Sequence, residues 1–153
     1  MRKSAGILLY RKTNKSLEVF LIHPGEPFWK GKESGAWSIP KGEFTDNENP
    51  LSAAMREFEE ETGKKVDGNF IELNTIQQKG GKHVYTWALE GDLDADKIVS
   101  NTFTQEWPYK SGKLQTFPEV DKAGWFGLEE AKEKINPAQS ALINDLVEKL
   151  KKT

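Results

Sequence analysis

Glu57, Glu60 and Glu61 are spaced so that, on a helix, the three carboxylates share one face. Like charges at that spacing destabilise a helix by about a few tenths of a kcal/mol per pair. A divalent cation would turn that repulsion into ligation. Carboxylate oxygens suit a hard ion such as Mg²⁺, which commonly sits between a few carboxylates and the phosphates of a substrate. Arg56 lies four residues before Glu60 and can pair with and orient it. Taken alone, such a run is more often a solvated face, so the elements and the wider spacing decide.

The helix that carries these groups is well marked. Asn49-Pro50 supplies an N-cap and a proline for the first helical position. Leu51, Ala54, Met55 and Phe58 follow the i, i+3, i+4, i+7 pattern of an apolar face, and Gly63 suits a left-handed stop. Upstream, Ser4 to Tyr10 and Leu17 to His23 are β-prone runs joined at Asn14-Lys15-Ser16, a hairpin pattern. Pro24 to Gly35 is irregular, Trp37 to Ile39 is a short strand, and Lys41 to Asn49 reads as loop. Downstream, Phe70 to Gln78 and His83 to Leu89 read as strands joined across Gly80-Gly81. Asp92 to Gly112 reads as irregular, Ala123 to Phe126 as a strand and Leu128 to Ile135 as a short helix. Asn136-Pro137 opens a last helix with Ala138, Leu142, Leu146 and Leu150 in one stripe and Ile143 and Val147 beside it. Strands and helices mix without regular βαβ alternation, which predicts a mixed sheet with helices packed on it.

Composition narrows the function classes. The chain has 153 residues and reads as a single domain, 1–153, and 8 Phe with 5 Trp give it material for a sizeable core. The formal charge of −2 argues against general nucleic-acid binding. With no cysteine, thiolate catalysis, disulfides and Cys-ligated zinc are excluded, and two histidines are too few for a multi-histidine metal site. No apolar run approaches the roughly 20 residues of a membrane span, and the N-terminus lacks a signal-peptide pattern. The expectation is a soluble, cytoplasmic protein with no membrane partner.

The acidic helix belongs to a longer pattern: Gly42, five residues, Glu48, seven residues, Arg56-Glu57, Phe58, one residue, Glu60-Glu61, one residue, Gly63, then Lys64. Seven positions are fixed by type. At roughly one in fifteen each, chance gives on the order of one in 10⁸ per starting position. The segment resembles the box of the Nudix (MutT-like) family. The departure is Lys64, where the pattern has an apolar residue; Val66 is placed to supply that contact instead.

The resemblance implies a Nudix α/β/α sandwich, a mixed β-sheet between helices, and hydrolysis of a nucleoside diphosphate linked to another group. It implies Mg²⁺ or Mn²⁺ held by Glu57, Glu60 and Glu61 with the Gly42 carbonyl, Arg56 orienting the cluster, and Glu48 bracing the loop or a metal-bound water. The general base is left among Glu57, Glu61 and Glu119. The last lies in Phe117-Pro118-Glu119, six residues before Trp125, and is similar to a loop of diadenosine tetraphosphate hydrolases. Trp37-Ser38-Ile39-Pro40-Lys41-Gly42 is similar to the diadenosine polyphosphate hydrolase branch and, more loosely, to inositol pyrophosphate relatives, although Glu43 stands where His is frequent; Lys41 could contact phosphate. Trp29 and Tyr109, with Phe28 and Trp107, could stack a nucleobase, and Lys30, Lys32, Lys110 and Lys113 flank them. His23 and His83 read as structural or surface residues.

The nucleotide-type substrate expected first is a dinucleoside polyphosphate such as diadenosine tetraphosphate. An NTP follows, then ADP-ribose or a nucleotide sugar. The rivals are a non-catalytic nucleotide-binding Nudix module and an enzyme of RNA 5′ ends, which would need a basic track.

Overall fold

The computed structural model describes residues 2–14, 16–78 and 80–152. In chain order the elements are β1 (Lys3–Lys12), β2 (Leu17–His23), β3 (Lys41–Phe44), α1 (Pro50–Thr62), β4 (Ile71–Glu72), β5 (Ile76–Gln78), β6 (Lys82–Glu90), β7 (Thr102–Glu106), β8 (Leu114–Pro118), β9 (Lys122–Gly127), α2 (Leu128–Lys134) and α3 (Ser140–Lys151). One-turn 3₁₀ helices occupy Ala95–Lys97 and Pro137–Gln139.

The strand β1 organises the sheet. Every residue from Ser4 to Tyr10 is buried, as expected of a central strand covered on both faces. Its even side chains, Leu8 and Tyr10, join a core built with Ala131, Ile135, Leu142, Ile143 and Leu146 of the C-terminal helices. Its odd side chains, Ala5, Ile7 and Leu9, join a core built with Ala53, Ala54 and Phe58 of α1. The mixed sheet therefore lies between helices, an α/β/α sandwich. Strand order is β4-β6-β1-β2-β9, with β5 also on β6. Among the described strand pairs of this sheet, only β1–β6 is parallel.

On its other edge β1 divides between two partners. Tyr10 to Lys12 pair with β2, and Lys3 to Gly6 pair with β3. The chain expected as loop from Lys41 is thus a strand as far as Phe44, because the open half of the β1 edge needs hydrogen-bond partners. This pairing sets the backbone of Lys41 and Gly42 beside α1.

Other boundaries also differ from the sequence expectation. Trp37 to Ile39 form isolated bridges, Ser38 with Ile22 and Trp37 with Ile135, not a strand. The run from Phe70 breaks into β4 and β5. The segment expected as irregular from Asp92 contains β7, which pairs with β8 in a separate two-stranded sheet, Phe103 opposite Phe117. The last helix begins at Ser140, because Asn136 Oδ1 accepts from Ala138 N at 2.9 Å and tightens the entry into a 3₁₀ turn. Of the β1–β2 turn, Lys15 lies outside the described residues, as does Lys79 before Gly80.

Asn49 and Gly63 cap α1 as expected: Asn49 Oδ1 accepts from Ser52 N, and Gly63 adopts φ 78°. The buried face uses Ala53 alongside Ala54 and Phe58, while Met55 is half-buried. Val66 packs against the same core, so an apolar contact is supplied two residues after Lys64. No helix among the described residues is long and apolar enough to cross a membrane.

Candidate active site

Arg56 is the hub of the acidic face. Its Nε and Nη2 donate to the two oxygens of Glu48 at 2.8 and 3.0 Å, a bidentate pair. Its Nη1 donates to Glu57 Oε2 at 2.6 Å and to Glu60 Oε2 at 2.9 Å. One guanidinium therefore ties the loop ahead of α1 to two carboxylates on the helix. The cost of gathering like charges is carried by their proton affinities. Burial raises the Glu57 carboxyl, Arg56 opposes the rise and Glu60 adds to it. Burial pushes Glu61 up to about 8, opposed by the Lys41 N–H and reinforced by Glu57 and Glu119.

The strand β3 completes this side. Lys41 N donates to Glu61 Oε1 at 3.0 Å. A Cβ on Gly42 would lie 1.9 Å from Glu57 Oε1, so only glycine lets that carboxylate rest against the strand. Among the described residues no three acidic or histidine side chains converge on one point in ligating geometry. Arg56 and Lys41 N hold the carboxylates instead. The donor set still fits a divalent cation: hard oxygens only, Glu57 cradled on Gly42, and mutual repulsion that a cation would relieve. Glu57, Glu60, Glu61 and the Gly42 carbonyl are the groups that could hold one.

Two cavities meet at Glu61. One, of about 330 Å³, is lined by Pro24, Phe28, Trp29, Phe103, Glu61 and Glu119 among others. The second, of about 210 Å³, is lined by Lys41, Ser38, Gln78, Gln139, Glu61 and Glu119 among others, and Pro24 and Trp29 also reach it. Glu119 thus stands in the wall common to both. Its backbone N–H is fixed by Asn101 O at 2.8 Å, and burial, then Glu60, raises its carboxyl. Lys41 is half-buried; burial lowers its ammonium foremost, while Glu61 among others opposes the shift. A depression of about 610 Å³ around Arg11, Trp125 and Asp92 to Asp96 contains none of the box residues.

Of the residues singled out in the sequence, Glu61, Glu119, Lys41 and Trp29 share the second cavity. Tyr109 does not come to either. It is 78% exposed beyond the end of β7, with Lys110 Nζ over its ring. Phe28 meets Trp107 edge-on at 5.7 Å, joining the 24–35 loop to the β7–β8 hairpin. Trp37 is core, packed on Phe126 at 4.9 Å. His23 is buried and joins two loops: its Nδ1 is 3.0 Å from Asp121 Oδ1, and its Nε2 meets the Lys32 carbonyl. Gly25 packs so closely that a Cβ would lie 2.4 Å from Asp121 Oδ2. Gln78, Gln139 and Phe103 carry no spacing signal in the sequence, Asn136 is marked there only as the start of the last helix, and only the fold assembles them at the cavities.

The chain belongs to the Nudix family: the NUDIX domain model matches residues 1–146. It is 28% identical over 111 residues to the asymmetrical bis(5′-nucleosyl)-tetraphosphatase of Rattus norvegicus, covering 64% of this chain and 71% of the rat protein. It is 33% identical over 102 residues to the m7GpppN-mRNA hydrolase of Saccharomyces cerevisiae, covering 63% of this chain and 9% of that one. The chain spans less than a third of the length of the decapping proteins it matches in yeast and in a mimivirus. In structure it is similar to a C. elegans Ap4A hydrolase in a binary complex, with TM-score 0.66 and 23% identity over the whole of both chains, a likeness of fold.

Proposed function

We propose that this protein is a divalent-metal-dependent pyrophosphohydrolase that cleaves a phosphoanhydride bond of a dinucleoside polyphosphate, with diadenosine tetraphosphate the first choice. The observation that carries the reading is the position of Glu61 and Glu119 in the wall shared by two cavities. A polyphosphate lying across that wall has room for a group at each end. A substrate with one nucleoside, such as an NTP, would leave one compartment unused. The similarity to the rat tetraphosphatase supports the same choice.

Glu57, Glu60, Glu61 and the Gly42 carbonyl would hold the cation. When bound, it would screen phosphate charge and lower the pKa of water at the site. The chain's own groups do the rest. Lys41 offers a point charge to phosphate oxygens from the floor of the second cavity. Arg56 keeps Glu57 and Glu60 aligned through its hydrogen bonds to both. Glu119, which comes from a loop and is not held by Arg56, accepts the proton of the attacking water. Trp29 gives a base a flat apolar face beside the carboxylates.

A second reading has its own observation. An RNA cap is itself two nucleosides joined through a polyphosphate, and the yeast relative is named as a hydrolase of m7GpppN-mRNA. Lys32 lies over Trp29 at 5.4 Å and Lys110 over Tyr109 at 5.4 Å, a pairing of cations and aromatics that suits single-stranded RNA.

The test is product analysis with Mg²⁺ and with Mn²⁺ on diadenosine polyphosphates, NTPs, ADP-ribose, nucleotide sugars and capped RNA, with Glu60→Gln as the blank. The expected result is metal-dependent cleavage of the diadenosine compounds that is nearly abolished in the blank. Preferred cleavage of NTPs or ADP-ribose would overturn the substrate assignment. Salt-sensitive cleavage of capped RNA alone would favour the second reading. Nucleotide binding without turnover of any compound would make the chain a binding module.

A further inference from the structure

The smaller cavity is walled by amides whose orientation is fixed from the backbone inward. Ile39 N donates to Gln139 Oε1 at 3.1 Å, which settles which end of that amide is oxygen. Gln139 Nε2 therefore turns the other way and donates to Ser38 Oγ at 3.0 Å. The Ser38 hydroxyl gives its own proton to the Ile39 carbonyl at 2.7 Å, so it can only accept from Gln139. Gln139 is 1% exposed, and flipping it would orphan buried donors and acceptors. The last link is loose: Gln139 Nε2 reaches Gln78 Oε1 at 3.5 Å, the outer limit of a hydrogen bond. That contact turns the Gln78 oxygen toward Gln139 and leaves its NH₂ without a hydrogen bond among the described residues. Gln78 is half-buried in the cavity wall, with Trp29 in the same lining.

We propose that this cavity is a nucleobase subsite selective for adenine, with Gln78 as its specificity-determining residue. A glutamine amide offers a donor beside an acceptor. Adenine answers with an exocyclic amine beside a ring nitrogen, whereas the corresponding edge of guanine shows two acceptors. Gln78 Oε1 has two lone pairs, so it can accept from the adenine amine while it keeps the stretched contact from Gln139, and its NH₂ donates to the ring nitrogen. The rest of the amide chain is already satisfied and keeps Gln78 from turning its oxygen and NH₂ the other way round. The inference rests on the nucleotide reading above, since it takes the phosphates to lie toward Lys41 and Glu61.

The test reads binding, not turnover. AMP and GMP are titrated calorimetrically, with Mg²⁺ present and absent, into wild type, Gln78→Leu and Gln78→Glu, each first checked for folding by circular dichroism. Gln78→Glu keeps the length of the side chain and removes its donor. Wild type is expected to prefer AMP by about tenfold, and both variants to lose the preference to within about twofold. Equal binding of AMP and GMP by wild type would overturn the proposal, as would a preference that survives both substitutions. A protein that cleaves no polyphosphate and still shows the Gln78-dependent preference would sink the reaction and keep the subsite. Cleavage of dinucleoside polyphosphates with no preference among purines would do the reverse.

Discussion

The two sides of the cleft are built on different principles. On one side, α1 sets Glu57, Glu60 and Glu61 by the spacing of one helix; one arginine within the same 16-residue span from Glu48 to Gly63 ties Glu57 and Glu60 to Glu48, and Lys41 N holds Glu61. On the other, the wall is collected from the 24–35 loop, the end of β5, the β7–β8 hairpin, Glu119 and the turn before α3. Its joints are long-range: His23 to Asp121, Phe28 to Trp107, and Glu119 N to Asn101 O. The proposed catalytic side depends mainly on local geometry, which a short motif can encode. The proposed recognition side depends on how distant segments are docked, so its lining can change without disturbing the acidic helix.

The harshest way to break the comparison is to disturb the helix side from outside the helix. Gly42→Ala sets a methyl group where the Glu57 carboxylate now rests. The backbone at Gly42 keeps its pairing with Ala5, so the sheet is expected to survive. Glu57 must swing away, and with it its hydrogen bond to Arg56. Turnover is expected to fall by more than the roughly hundredfold that a 1 Å misplacement alone can cost. Steady-state rates beside a thermal melt check this. A wild-type rate would mean that Glu57 is not needed where it sits.

Glu119→Gln asks whether the recognition side also carries chemistry. The variant keeps shape and hydrogen bonding but cannot take a proton. Turnover is expected to drop by about a hundredfold, the lower end for removal of a positioned base, with KM little changed. Loss confined to KM would reduce Glu119 to a binding group and leave the proton to Glu57 or Glu61.

The contrast also explains what could be read in the sequence. The cap at Asn49 and the stop at Gly63 obey helix rules that act over a few residues and appear as expected, while Glu57, Glu60 and Glu61 lie on that helix without converging on one point among the described residues. The strand β3 was missed because Lys41 to Phe44 has little intrinsic strand character and is strand only because the β1 edge needs partners. The β7–β8 hairpin was missed for a related reason. Its strands hold Thr, Gln and Glu, are mostly exposed, and show no continuous apolar alternation. Lys41 could be placed beside the box because it adjoins it, but Gln78 and Gln139 are 61 residues apart and meet only after folding. Tyr109 behaves in the opposite way: an aromatic in an irregular segment suggests a role in the site, and the hairpin places it outside the lining of both cavities.

The finest probe concerns how the recognition side is fastened. Glu33, in the 24–35 loop, holds Lys122 of β9 at 2.7 Å and Lys134 of α2 at 3.0 Å, and accepts from Trp37 Nε1 at 3.3 Å. Those two lysines hold its carboxyl down to about 2 from an ordinary 4.5. A depressed carboxyl stabilises the fold fully above its unfolded value and loses that contribution as pH falls through the folded value. The fastening is therefore expected to weaken between about pH 4.5 and pH 2. Glu33 is partly exposed, so solvent screens the pair and the effect is small. Glu33→Gln should lower Tm by about 2 °C at pH 6, and the two melting curves should converge as the pH falls toward 2.5. A constant gap across that range would show that Glu33 acts through packing and its bond to Trp37. Convergence would identify an ionic clasp that releases the recognition side.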